Sequence, residues 1–319
     1  MKKLIKKNAK KILVMFLIFS FCSAVITGCS RVRVDPKTGK RIITVGYLPI
    51  THALAAFEQK EMAENGEISD YEIKLQRFSN WTDLMDALNS GRIDAAPALI
   101  ELAMMARTNG IDVKAAVLGH REGNLIVAAN DIKSAADLRG KKFAIPSRQS
   151  SQFLLVSEML RSEGLDLSDV ELIQMSPSEM PSSLATGSIA GYCVAEPFGT
   201  AAITGGYGHV ISDPKALWNN SICCGLIFNG SFTEKNTELA RKFLNDYKKA
   251  GNILNDKDEA LKTAAKYLAQ SGVIIKDSLD EISFSDLDIT VSAYESLREK
   301  VVEYGVNNNP PTYEEFVFH

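Results

Sequence analysis

The chain has 319 residues, 45% hydrophobic and 24% charged, with 36 basic and 39 acidic side chains and a net charge of -3. This globular composition excludes a disordered chain and a collagen-like repeat, and five cysteines are too few for a disulfide-built miniprotein. The mild acidity also excludes a nucleic-acid binder, which needs a strongly basic face.

The charge is unevenly spread. Residues 1–28 carry six lysines (Lys2, Lys3, Lys6, Lys7, Lys10 and Lys11), no arginine and no acid. An apolar stretch from Ile12 to Ile26 follows the lysines, broken by Ser20, Cys22 and Ser23. A positive segment ahead of a short apolar core is the build of an export signal. At roughly 15 residues the core is short for a spanning helix, which needs about 20. The end of this stretch, Ile26-Thr27-Gly28-Cys29, resembles the lipobox of bacterial lipoproteins. That resemblance implies cleavage before Cys29, diacylation of its thiol, and tethering to the outer face of the cell membrane. Residues 29–40, polar and bearing Arg31, Arg33, Asp35, Pro36, Lys37 and Gly39, read as the tether. Without residues 1–28, 30 basic side chains stand against 39 acidic ones, so the body is acidic at -9.

From Arg41 onward short apolar runs alternate with helical patterns. Arg41 to Leu48 reads as a strand and Thr51 to Met62 as a helix with Thr51 as a candidate N-cap. Tyr71 to Phe78 alternates apolar and polar residues, and Trp81, Leu84, Met85 and Leu88 then recur at helical spacing. Ile93 to Ile100 is strand-like and Glu101 to Thr108 helical. A second set follows Val117 to Ala129. Ser134 to Asp137 forms a capping box, and Lys141 to Ile145 is a strand ended by Pro146. Gln152 to Glu163 is a helix, Val170 to Met175 and Gly191 to Ala195 are strands, and a helix near Pro181 to Thr186 lies between them. The tail is helical, with Leu239, Phe243, Leu244 and Tyr247 on one face. Alternating strands and helices imply α/β lobes with parallel sheets.

The passage Leu138-Arg139-Gly140-Lys141-Lys142-Phe143-Ala144-Ile145-Pro146 resembles one shared by type II periplasmic solute-binding proteins. Ile43-Thr44-Val45-Gly46-Tyr47-Leu48-Pro49 is similar to their first strand. Cys193-Val194-Ala195-Glu196-Pro197-Phe198 resembles the Glu-Pro-aromatic turn of the nitrate, sulfonate, taurine and bicarbonate branch, which includes thiamine-pyrimidine-synthase-like proteins. The resemblance covers residues 41 to roughly 310. It implies a periplasmic-binding-protein type II fold, with lobe 1 formed by residues 41–120 and 215–319 and lobe 2 by residues 121–214. It also implies a hinge that closes on a solute and delivers it to the permease and ATPase subunits of an ABC importer. A monomer is expected, with no cofactor and no metal.

In open α/β sheets, ligands sit beyond the carboxyl ends of the strands. That rule singles out Thr51 and His52, with His52 either a donor to solute or merely the start of a helix. Trp81 is a cleft wall or core, and Glu101 a ligand contact or a partner of its own helix dipole. The loop Ser147-Arg148-Gln149-Ser150-Ser151-Gln152 joins a strand to a helix. Its Ser147, Arg148, Ser150 and Gln152 suit an anion, Arg148 supplying a planar fork, unless the loop only caps itself. Glu196 accepts from a solute N–H or caps the helix after Pro197. His120 and Glu122 lie at the first crossing, where they meet a solute or a hinge partner. An anion on Arg148 and a donor on Glu196 describe a small anionic or zwitterionic solute such as taurine. A thiamine-pyrimidine or other vitamin precursor is the alternative.

Beyond Cys22 and Cys29 the body keeps Cys193, Cys223 and Cys224. The adjacent pair lies in the apolar run Ile222 to Phe228 and reads as buried free thiols, a vicinal disulfide or a cleft-facing Cys223 remaining as alternatives. No histidine stands at metal-ligand spacing from them along the sequence, and no nucleophile elbow or phosphate loop occurs. A pyrimidine-synthesis enzyme of the same fold would need a reactive histidine and a cysteine-rich segment that this reading does not identify. The chain therefore reads as a binding protein.

Overall fold

Arg41–Tyr47, rich in β-branched residues, forms strand β1, whose centre from Ile43 to Gly46 is buried. It sits in a computed structural model that describes residues 33–319. The export signal 1–28, Cys29 and the start of the tether lie outside the described residues. Strands β2 (Tyr71–Arg77), β3 (Ala95–Leu99) and β4 (Val113–Leu118) follow, then a two-residue strand β5 (Arg121–Glu122) and β6 (Asn124–Ala129). Strands β7 (Lys142–Ile145), β8 (Glu171–Gln174), β9 (Gly191–Ala195), β10 (Gly208–Ser212), β11 (Cys224–Asn229) and β12 (Ile282–Ser283) complete the set.

These strands make two five-stranded sheets, ordered β2-β1-β3-β11-β4 and β10-β6-β9-β7-β8, while β5 pairs with β12. The chain passes between the two sheets twice, at Gly119–Gly123 and at Asp213–Cys223. The expectation of parallel sheets holds within each run of strand–helix–strand units: β1 is parallel to β2 and β3, and β7 to β8 and β9. It fails for one strand per sheet. β11 runs antiparallel to β3 and β4, and β6 antiparallel to β9 and β10. Each reversed strand is the first one laid down after a crossing. It arrives from the other sheet, free of the right-handed helical crossover that keeps consecutive strands parallel.

The helix after β1 also differs from the sequence expectation. Thr51–Ala53 is a 3-10 turn leading into the α-helix Leu54–Glu64, and Ile50 rather than Thr51 occupies the cap position. The Thr51 hydroxyl is thereby released for other partners. Behind it Leu54, Ala55 and Phe57 are fully buried, and Phe57 meets Tyr47 edge-on at 4.9 Å. Gln59 donates to the Tyr71 hydroxyl at 2.7 Å, and Tyr71 donates to Asp246 at 3.0 Å, a polar chain inside this layer. At the second sheet the Asp137 carboxylate accepts from the Lys133 and Ser134 N–H groups at 2.8 and 3.0 Å, as the capping box requires. The tail adds two helices that the sequence pattern does not single out, Gly272–Asp280 and Val291–Glu303. No helix among the described residues is long and apolar enough to cross a membrane.

Gly119 opens the first crossing, and a Cβ built there would lie 2.6 Å from the His52 carbonyl oxygen. That oxygen is backbone and cannot swing aside. Gly119→Ala is expected to destabilise the fold by about 1–3 kcal/mol, as overpacking does. Denaturant unfolding that showed no loss of stability would contradict this close approach.

Candidate functional site

The loops at the carboxyl ends of the two sets of strands meet. The Thr51 N–H and hydroxyl both donate to the Glu196 carbonyl, at 3.1 and 3.0 Å, so the loop after β1 is fastened to the turn after β9. Thr51 Oγ1 also lies 2.8 Å from His120 Nε2, whose other nitrogen faces the Arg121 carbonyl at 3.2 Å. His120 stacks on His52, with ring centroids 4.2 Å apart. Burial, and then the neighbouring His52, push the His120 ring well below the usual imidazole range.

Cys223 and Cys224 lie beside this pair. Their sulfurs are 3.7 Å apart, and all three cysteines among the described residues are buried free thiols rather than a vicinal disulfide. The His52 ring and the two sulfurs place ligand atoms within 4.8 Å of one another. The absence of metal spacing along the sequence is thus overcome in space. Gln152 Nε2, from the other side of the junction, donates to Asn124 Oδ1 at 2.7 Å and to the Cys223 sulfur at 3.3 Å. Burial alone pushes the Cys223 thiol up, but the Cys224 thiol and the His52 ring beside it bring it well below the usual thiol range. Cys224 moves the opposite way, through burial and the charge on Cys223.

The cluster has more polar atoms than internal partners. Both nitrogens of His52, both carboxylate oxygens of Glu101, Ser151 Oγ and Gln152 Oε1 are buried without a hydrogen bond among the described residues. Glu101 is 1% exposed, and burial, then Cys223, holds its carboxyl well above the usual range. Buried polar atoms in folded proteins are nearly always paired, so six unpaired ones in one place mark a site built for something else. Two grooves flank the cluster. One of about 460 Å³ runs between Trp81, Met85 and Leu102 on one side and Pro146, Ser147 and Gln174 on the other. The second, of about 410 Å³, is lined by Gly123, Asn124, Thr200, Trp218 and Asp277.

The residues singled out from the sequence divide into two groups. Thr51, His52, Glu101, His120, Gln152 and Glu196 converge on the junction, and Trp81 and Ser147 line the groove beside it. Ser150 is spent as a cap: its hydroxyl accepts from the Phe153 N–H at 3.1 Å and donates to the Ser147 carbonyl at 2.7 Å. Arg148 is exposed, and its guanidinium donates to the Leu172 carbonyl at 3.1 Å, on the neighbouring strand of its own sheet. The fork is turned along the sheet edge. Glu122 is also exposed, paired with Lys215 at 2.6 Å. Glu196 is fully buried and already satisfied: it accepts from the Thr200 hydroxyl at 2.9 Å and from the Ser278 hydroxyl at 3.0 Å. Ser151 and Asn124 are members that sequence reasoning missed. Asn124 opens β6 and Ser151 opens the helix Ser151–Ser162, and a polar residue at the start of an element carries no signal that separates it from an ordinary end residue.

Comparison with known proteins places this geometry in context. The model of the NMT1-like family matches residues 37–269. A solved structure of the ligand-binding component of an ABC-type import system from Staphylococcus aureus, with zinc bound, is 35% identical. It superposes with a TM-score of 0.83 over 88% of this chain and 97% of that one. The periplasmic aliphatic sulphonate-binding protein SsuA from Escherichia coli shares the fold, with a TM-score of 0.69 and 18% identity over 87% of this chain and 92% of that one. The nitrate import ATP-binding protein NrtC of Synechocystis sp. is 28% identical over 198 residues, 56% of this chain. The chain spans only 29% of that relative's length. The periplasmic-binding-protein fold expected from the sequence is therefore observed, and these structural neighbours are binding proteins of import systems rather than enzymes.

Burial raises the Glu196 carboxyl to about 7, against the pull of the Thr200 and Ser278 hydrogen bonds. The folded state thus holds this proton between pH 4.5 and 7 while the unfolded state releases it, so stability falls as pH rises through that window. Glu196→Gln should remove a slope worth at most about 3 kcal/mol. Denaturant unfolding of both proteins across this range tests the assignment. An unchanged pH dependence in the variant would refute it.

Proposed function

The chain belongs to the NMT1-like family, and from that premise we propose that it is the solute-binding lipoprotein of an ABC importer. In this reading lobe 1 (residues 41–120 and 215–319) and lobe 2 (residues 121–214) hinge at the two crossings and close on a small solute. The closed form then docks on the permease and ATPase subunits. The protein acts as a monomer on the extracytoplasmic face of the cell membrane, held by lipid on Cys29. It binds without catalysis, and no nucleic acid takes part.

The observation that carries the solute class is the set of buried polar atoms without partners at the junction. Glu101 offers a buried, unpaired carboxyl and Gln152 an amide oxygen, and no arginine or lysine belongs to the cluster, Arg148 being turned away. A bare oxyanion meets little there to bind. A solute with a cationic or hydrogen-bond-donating end meets several acceptors in a dry setting, where such contacts are strong. Taurine and an aminopyrimidine vitamin precursor both offer such an end; nitrate and a plain alkyl sulfonate do not.

A thermal-shift screen of the purified protein tests this, since binding to the folded state alone raises the melting temperature. Cationic or donor-bearing solutes should raise it, and Arg148→Ala should leave the shift unchanged. A larger shift from nitrate or an alkyl sulfonate, abolished by Arg148→Ala, would overturn the solute class. Anchoring is tested separately. Wild-type cells fed a labelled fatty acid should carry the label on this protein in the membrane fraction, and Cys29→Ala should lose both label and membrane association.

A further inference from the structure

We propose that the floor of the junction is a binding site for a thiophilic metal ion of the Zn²⁺ and Cu⁺ class, held by His52, Cys223 and Cys224. The ligand atoms already lie within 4.8 Å of one another, and all three residues are buried. Two thiolates at about 2.3 Å from a tetrahedral ion stand about 3.8 Å apart, and here the sulfurs are separated by 3.7 Å. The pair is pre-set at the chelating distance, so only the imidazole has to close in.

His52 supplies the independent observation. The residue is 1% exposed, its nitrogens are left without a nitrogen or oxygen partner among the described residues, and its ring interacts with the Cys223 thiol beside it. A buried ring in that state costs stability unless something bonds to it, and a metal ion is the partner that the adjacent sulfurs can hold. The stack against His120 fixes the plane of the ring, as second-layer groups around metal sites commonly do. Donor softness selects the ion: two sulfurs and one imidazole suit Zn²⁺ and Cu⁺ and disfavour Mg²⁺ and Ca²⁺, which need oxygen.

Charge balances as well. Zn²⁺ binding leaves both cysteines as thiolates, any proton that they still hold passing to solvent, and the two thiolates then neutralise the divalent ion inside the protein. Three protein ligands leave a fourth position open, with the unpartnered carboxylate of Glu101 in the same buried cluster. Gln152, from the helix Ser151–Ser162, and Asn124, from β6, approach the Cys223 sulfur without being ligands. Closure of lobe 2 places an amide N–H on a metal-bound sulfur. This inference rests on the solute-binding reading and narrows it: the donor-seeking cargo is a metal ion, carried bare or with a small chelator.

Titration of the full-length reduced protein with Co²⁺, in a phosphine reductant that contributes no thiol, tests the proposal. One Co²⁺ should bind per chain with a thiolate-to-cobalt charge-transfer band, and one equivalent of Zn²⁺ should bleach it. Cys223→Ser and Cys224→Ser should each lose the band, His52→Ala should weaken Zn²⁺ binding about tenfold or more, and Cys193→Ser should behave as wild type. Circular dichroism of each variant separates loss of a ligand from loss of fold, and the wild-type spectrum tests thiolate ligation without any variant. No stoichiometric binding, or Co²⁺ binding without the charge-transfer band, would overturn the metal site. If Zn²⁺ fails while an organic solute still raises the melting temperature, the solute-binding reading survives and the metal site alone falls.

Discussion

The Glu196 carbonyl, accepting twice from Thr51, is the contact on which the junction depends. It joins the loop that ends β1 to the turn that ends β9, and so holds the carboxyl ends of two separate sheets against each other. His52 follows Thr51 directly, and its position against His120 and the two cysteines is set by that fastening. Each hydrogen bond contributes only about 1 kcal/mol net. Two of them are a weak clasp beside the affinity that a bound solute can add. If the lobes hinge as proposed, a clasp of this size would let a bound solute, rather than the protein, decide how much of the population is closed.

The chemistry of the junction follows from dryness more than from charge. Glu101 and Glu196 are two carboxyls in one buried region, and burial tilts both toward the neutral form. A cation or a strong donor entering between the lobes would favour their ionised forms again, so uptake of such a solute is coupled to release of protons. An anion would do the reverse and would work against the same groups. The acidic balance of the chain has little to do with this preference. It is set by a handful of atoms that water does not reach.

Local patterns made the strands and most helices legible, because the period of apolar residues is a property of neighbours in sequence. Gly191–Ala195 appears at the bounds its apolar run suggests, and the Glu196 turn lies where the resemblance places it. What could not be read was direction and distance. Arg148 looks like an anion fork on paper, but the free carbonyl of Leu172 on the adjoining strand captures it. Ser150 looks like a solute contact, but the first turn of the helix Ser151–Ser162 needs a cap and takes its hydroxyl. Glu101 reads as a ligand contact or a partner of its own helix dipole, and only the packing around it shows that it is buried without a partner. His52 and Cys223 are separated by most of the chain. No spacing rule joins them; the strand order does.

That strand order reaches beyond the binding site. β11, which begins at Cys224, lies between β3 and β4, and nothing else in the first sheet links β4 to its neighbours. β4 therefore cannot join this sheet until β11 has emerged, although β1, β2 and β3 pair without it. β11, fourth of the five strands, is delivered only after the strands of the second sheet, so that sheet pairs more locally while the first needs a distant partner. The sheet that begins the chain is thus completed by a strand from beyond the other sheet, and the two cysteines stand at the start of that strand.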